Sequence, residues 1–360
     1  DWSVTASKDM TFGIMQFKRD NGYSAKSMTF DMTDSAAGIT GGSGPRKINV
    51  LGFNYYNSDT TATLKGGLWD FETAVAYPSW NVVSVWAAND KLILSDGAVI
   101  TNIAQAGYSH FNYATDCLIR LVGGSRWYAR SAHWPFKGGS RNAFQVYDGS
   151  CLIAPSLAFG RLDAVSAGFC SNRVEIAGTG SSMRLDGTCY VGSAPSTTGG
   201  SNGNLLYVTN GASVTVAGET YVGTRTFANL VKIADDATMS AQKVVVGYDP
   251  ASSNNLLEVS SGGRLELTTL LISRYGACNN TLLVSKNYGT YGSLILGEDG
   301  STGNRGGSGN LLRIVGQSAA FTVQSGTYVF GKGDRNTFEL DDATLNFTGN
   351  FEFSSADFVY

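Results

Sequence analysis

Residues 204–223 read NLLYVTNGASVTVAGETYVG, and this stretch is the template for much of the chain. The same frame returns as NLVKIADDATMSAQKVVVG from Asn229, NLLEVSSGGRLELTTLLIS from Asn255, NTLLVSKNYGTYGSLILG from Asn280 and NLLRIVGQSAAFTVQSGTYVFG from Asn310. Each copy opens on Asn and runs through an apolar strand. Small residues make a turn, a second alternating strand follows, and a third apolar strand usually ends in Gly. The leading asparagines are Asn142, Asn172, Asn204, Asn229, Asn255, Asn280, Asn310 and Asn336, at steps of 30, 32, 25, 26, 25, 30 and 26 residues. The longer steps carry extra residues largely after the third strand, as in SAPSTTGGSNG (193–203) and EDGSTGNRGGSG (298–309). Loop growth at one corner is thermodynamically cheap, so a stack of coils tolerates it.

Within a copy the apolar period is two. Leu206 and Val208 alternate with Leu205 and Tyr207, and Val214 and Val216 alternate with Ser213 and Thr215. That is the pattern of strands with one buried face. Short strands repeated at this step predict an all-β fold, a right-handed parallel β-helix (β-solenoid) of three-strand coils stacked at about 4.8 Å. One coil cannot bury its own apolar face, so stacking is obligatory. Earlier copies begin at DKLILSDGAVI (90–100) and CLIRLVGG (117–124), with Cys117 in the asparagine slot. Extrapolating the step gives about twelve coils of about 25 residues. Residues 1–60 read as irregular strands that cap the stack, and 61–360 as the repeat. Each corner Asn is expected to bond the equivalent Asn of the next coil. The turn after the first strand is expected to use left-handed backbone at Asn210-Gly211, Asp235-Asp236, Gly262-Gly263 and Asp341-Asp342.

Composition narrows the function. The 360 residues include 45 Gly and only 6 Pro, with 15% charged residues and a net charge of −3. Gly at this level without collagen spacing fits a turn-dense β protein. So small a charge predicts no nucleic-acid or membrane-surface partner, and no apolar run is long enough for a membrane span. The first residue is Asp and no signal peptide is present, which reads as a processed, exported chain. The five cysteines (Cys117, Cys151, Cys170, Cys189, Cys278) form no metal-binding spacing and are expected to be mostly buried thiols.

All six Trp and both His lie in the first 134 residues. The densest aromatic and basic stretch is RWYARSAHWPFKGGSR (126–141), holding Arg126, Trp127, Tyr128, Arg130, His133, Trp134, Lys137 and Arg141. Aromatic faces stack on sugars and guanidinium groups pair with acidic substituents, but Trp, Tyr and Arg are also enriched where subunits meet. The stretch is therefore read as a contact for a glycan, as a contact for a neighbouring subunit, or as an insertion packed against the rod. Most Asp residues sit where turns require them (Asp96, Asp148, Asp235, Asp236, Asp341, Asp342), so no catalytic group, metal or cofactor is expected. The Gly-rich loops lack the Lys-Ser/Thr of a phosphate cradle.

The motif NxLxVxxGAxVxxxxxxxVG, quoted above at 204–223 and echoed in at least six other copies, resembles the β-strand repeats of autotransporter passenger domains and of related bacterial surface proteins. That resemblance implies a right-handed parallel β-helix, export across the envelope, and adhesive or structural roles; it carries no fixed catalytic residues. The expectation is a secreted or cell-surface structural protein, not an enzyme, whose strand-patterned ends stack head to tail with other copies into a filament or layer. The alternatives are a β-helix that binds or cleaves carbohydrate, surface glycans being its partner, and the stalk of an adhesin.

Overall fold

A computed structural model describes residues 2–5, 14–17, 27–31, 38–40, 50–53, 59–70, 83–84, 88–103, 109–111, 114–129, 133–136, 139–161, 171–194, 202–285, 288–298, 307–316, 320–323, 327–330, 335–347 and 350–353. Among them every regular element is a strand, and the strand pairs are parallel, as in a β-solenoid. No helix long and apolar enough to cross a membrane occurs among the described residues. The chain divides into two compact units, residues 1–158 with 172–184 and residues 159–171 with 185–360.

In the first unit one ladder joins Trp2–Thr5, Ser27–Asp31, Thr61–Lys65, Lys91–Ser95, Leu118–Leu121, Ala143–Val146 and Arg173–Ala177, in that order. In the second unit the equivalent ladder joins Leu205–Thr209, Leu230–Ile233, Leu256–Val259, Thr281–Ser285, Leu311–Val315 and Thr337–Asp341. The register places like on like. Leu206, Val231, Leu257, Leu282 and Leu312 form one inward row, and each is fully buried. A parallel ladder cannot slip by one residue without turning such rows outward, so alternation specifies the register. Burying each Leu or Val contributes about 1.5–3 kcal/mol.

The expected count of about twelve three-strand coils is not matched exactly: among the described residues the two ladders hold seven and six strands, and not every coil divides into three. In the coils led by Asn204, Asn229, Asn255 and Asn280 the second and third strands run together, as Ser213–Thr224, Thr238–Val246, Arg264–Arg274 and Tyr288–Glu298. In the coil led by Asn204 the corner is a register shift between Val216 and Glu219. A bulge bends a strand while pairing resumes on either side. The pairings of Thr238–Val246 with Arg264–Arg274, and of Arg264–Arg274 with Tyr288–Glu298, cross the corner in constant register. In the coil led by Asn310 the two remain separate, as Ala320–Val323 and Thr327–Phe330.

Turn chemistry explains the corner after the first strand. Asn210, Gly211, Asp235 and Asp236 all have positive φ, between 53° and 73°. In the next coil the left-handed pair is Ser261-Gly262, one residue earlier than expected. Gly263 serves a different need: a Cβ there would lie 2.4 Å from the Ile233 carbonyl oxygen. Of the last pair only Asp342 is left-handed, because Asp341 still belongs to its strand.

The Gly that closes most copies has a tertiary reason. Gly223 has φ +78°, and a Cβ there would meet the Asn255 side chain at 2.3–2.4 Å. Gly247 stands in the same relation to Asn280. Gly97 has a similar φ of +75° but open space around it. Substituting Gly97→Ala should therefore cost only the left-handed backbone term, about 1 kcal/mol. Gly223→Ala should cost about 2–4 kcal/mol, because it also displaces a buried amide. Chemical denaturation of the two variants, side by side, checks the difference; equal losses would remove the packing explanation.

Candidate functional site

Each leading Asn sits at a corner whose preceding residue is left-handed: Arg141 (φ 57°), Ser171 (62°), Gly203 (68°), Ala228 (55°), Asn254 (54°), Asn279 (54°), Gly309 (68°) and Arg335 (61°). That turn points the carboxamide inward, and all eight leading asparagines are at most 1% exposed. In the second unit Asn204 Nδ2 donates to Asn229 Oδ1 at 2.9 Å, Asn229 Nδ2 to Asn255 Oδ1 at 2.9 Å, and Asn255 Nδ2 to Asn280 Oδ1 at 3.0 Å. Asn280 and Asn310 extend the chain to Asn310 and Asn336, at 3.4 and 2.9 Å. Each Oδ1 also accepts the backbone N–H of the preceding rung, at 2.9–3.2 Å. The second amide proton goes to the corner itself, as from Asn255 to the Thr226 carbonyl at 3.2 Å. Two donors and two acceptances use the full capacity of a carboxamide. Asp would supply no donors and Ser too few.

In the first unit the slot is filled differently. Asn142 Nδ2 donates to Asn172 Oδ1 at 3.2 Å, and the Cys117 N–H donates to Asn142 Oδ1 at 3.0 Å. The Asp90 N–H then donates to Cys117 Sγ at 3.3 Å, and the Thr60 N–H to Asp90 Oδ1 at 3.0 Å. Cys117 thus occupies the asparagine slot as its alignment indicated. Burial pushes its thiol up to about 12, and the fully buried Cys189 thiol likewise to about 12. Cys151 and Cys278 are half-buried free thiols. Cys170 lies outside the described residues.

The described side chains of the stretch 126–141 are not all at the surface. Trp127 is fully buried and packs on Phe144, with ring centroids 5.8 Å apart, so it is a core side chain in this structure. The period-two alternation that governs every strand puts it inward between exposed Arg126 and half-buried Tyr128. Arg141 is exposed and makes a bidentate pair with Asp116, at 2.7 and 2.6 Å, which holds the Asp116 carboxyl below its usual range. His133 and Trp134 lie on the strand His133–Phe136, with their side chains outside the description, and Arg130 and Lys137 are not among the described residues.

A different aromatic group emerges in the second unit. Tyr190 and Tyr221 are partners across a parallel pair and stack with centroids 5.1 Å apart and planes within 9°. Tyr248 meets Tyr221 edge-on at 5.1 Å, and Tyr275 meets Tyr248 edge-on at 5.3 Å. All four rings are half-buried. The Arg274 guanidinium lies over Tyr275 at 4.5 Å and over Tyr248 at 5.6 Å. The Tyr221 hydroxyl donates to Glu219 Oε2, and the Lys243 ammonium is 3.5 Å from Glu219 Oε1. Burial, then the Glu219 carboxylate, pushes the Tyr221 phenol up, while the hydrogen bond from Tyr221 lowers Glu219. This row lies outside 126–141, the stretch that composition singles out. Its signal was the spacing of Tyr190, Tyr221, Tyr248 and Tyr275, at 31, 27 and 27 residues, close to the repeat step.

The outward row of the first-strand ladder is also paired. Lys232 Nζ is 2.8 Å from Glu258 and Arg313 Nε is 3.3 Å from Glu339, each pair facing across one step of the ladder. In the first unit Arg120 donates to Gln145 at 2.8 Å, Gln145 to Glu175 at 3.3 Å, and Arg173 lies 2.9 Å from Glu175. The Arg313–Glu339 pair is exposed on both sides and contributes only about 0–1 kcal/mol, so it favours register more than stability. No group of three or more His, Cys, Asp or Glu placed to hold a metal ion occurs among the described residues. No protein-family model, curated protein or solved structure matches the chain.

Two outcomes test this geometry. Asn255→Ala removes the acceptor of the Asn229 backbone and amide N–H groups and the donor to Asn280. Two orphaned buried partners should cost about 2–5 kcal/mol, read as a shift in the denaturation midpoint. In the native protein a thiol reagent at mildly alkaline pH should label Cys151 and Cys278 within the first reacted fraction and leave Cys117 and Cys189 until unfolding, since the thiolate is the reactive form. Early labelling of Cys117 would show that its slot is open.

Proposed function

We propose that the chain is a structural subunit of an extracellular or cell-surface assembly, in which solenoids stack coil on coil with other copies of themselves. One observation carries this reading. The inward row Val208, Ile233, Val259, Val284 and Ile314 is 0% exposed throughout, and its next member in register, Leu340, is 47% exposed. Among the described residues no further rung covers Leu340, and the chemistry that covers its row-mates is another coil of the same kind. A face made complementary to its own repeat forms a heterologous contact, which propagates as a fibre unless the rotation closes. The resemblance of the repeat to autotransporter passenger domains adds a route, export across a bacterial envelope, and the right-handed crossing such coils use.

Negative-stain electron microscopy and sedimentation of the native protein over a range of concentrations test the proposal. Assemblies that lengthen with concentration are expected, and Leu340→Glu should shorten them, since a carboxylate placed in a dry row is costly. Single particles of one length at every concentration would overturn it. A glycan-binding role stays attached to Arg126, Tyr128 and Arg141, and a glycan array that retains the native protein but not an Arg126→Ala/Arg141→Ala variant would favour that reading instead.

A further inference from the structure

We propose that Tyr221 is a built oxidation site, at which a one-electron oxidant from solution makes a neutral phenoxyl radical while Glu219 takes the phenolic proton. Removing one electron from a phenol makes its hydroxyl strongly acidic, so the oxidation proceeds easily only where a base already holds the proton. The Tyr221 hydroxyl donates to Glu219 Oε2, and that carboxylate is held below its usual range, hence ionised at neutral pH. Burial keeps the phenol itself protonated, which makes the acceptor necessary.

The neighbours direct the hole to this ring. Tyr190 lies parallel to Tyr221 at 5.1 Å and shares positive charge by face-to-face overlap. Tyr248 and Tyr275 continue the contact at 5.1 and 5.3 Å, so charge abstracted at any of the four can move along the row. The Arg274 cation sits over Tyr248 and Tyr275 and disfavours a positive charge on them. Tyr147 provides an internal comparison. It also hydrogen-bonds a carboxylate, Glu175, but Arg120 lies over its ring at 5.6 Å and Arg173 holds Glu175 at 2.9 Å. The step balances simply. The Tyr221 O–H bond breaks, the electron reduces an oxidant of the trivalent metal-complex or ferryl class by one unit, and the proton forms the neutral carboxylic acid of Glu219.

The test oxidises the native protein with photogenerated ruthenium(III) tris-bipyridine, with persulfate as electron acceptor, in the presence of a nitroso spin trap. Trapped tyrosines are mapped by peptide mass spectrometry. Tyr221 should carry the highest yield of the 17 tyrosines, above Tyr147. Glu219→Gln keeps the shape of a side chain that is 35% exposed, and should lower the Tyr221 yield at least about tenfold, a modest figure for removal of a positioned proton acceptor. Lys243→Gln should act in the opposite direction, because the ammonium makes Glu219 a weaker base. A merely structural role for the two residues gives no such opposition of sign. Yields that follow exposure alone, or that respond to neither substitution, would overturn the proposal. If Glu219→Gln alters the circular dichroism spectrum, Lys243→Gln alone decides: an unchanged or lower yield at Tyr221 refutes the assignment.

Discussion

A buried carboxamide must have every one of its hydrogen bonds made, and the regular coils are arranged around that requirement. An orphaned amide in a dry corner costs more than the bond contributes when made. Each rung therefore needs a rung on either side, at the spacing of parallel strands and in register. From this follow the left-handed residue before each Asn, which turns the side chain inward, and the Gly at the end of the third strand, whose missing Cβ leaves room for the amide. Ala228 accepts φ 55° with no glycine to ease it. A cost of about 1–2 kcal/mol for that backbone is offset by the bonds it allows Asn229 to make.

The ladder also explains what the rest of the surface is free to do. Because rung bonds and inward rows hold the stack, the outward positions are not needed for cohesion, and they vary from coil to coil. Some carry complementary charge, as Lys232 faces Glu258 and Arg313 faces Glu339. At one corner they carry tyrosine in four coils of the second unit, with Glu219, Lys243 and Arg274 beside them. Rings that recur at the coil spacing must touch, so side chains that would be isolated on a single strand become a continuous row.

Much of this was legible in the chain. The Asn step, the period-two rows and the small-residue corners all follow from local rules that act alike in every copy, and they appear in the structure where the repeat places them. Cys117 was found in the asparagine slot by the same alignment, and it does accept the Asp90 N–H. Misreadings arose where a feature depends on two coils at once. The composition of 126–141, rich in Trp and Arg, does not say which of its side chains pack and which face outward, whereas strand alternation turns Trp127 inward. The merging of second and third strands has no marker in the sequence: at the Asn204 coil the corner is a bulge, which, unlike a turn, needs no special residue, and in the next coils the ladder runs on in constant register. Gly262-Gly263 was shifted by one because Gly serves both left-handed backbone and close approach, and composition does not separate the two.

What the sequence by itself determined is the parallel β-solenoid: periodicity of two inside a repeat of about 25 residues leaves no other way to bury the apolar face. What only the tertiary structure decided is which side chains meet between coils. Stacking brings together residues 25 to 32 positions apart, and small differences in loop length and bulge placement decide the partner of each. The tyrosine row with its carboxylate, the glycine against the next amide, and the exposed Leu340 at the end of a buried row all belong to that second kind. They arise from contacts perpendicular to the chain, where local sequence rules exert no force.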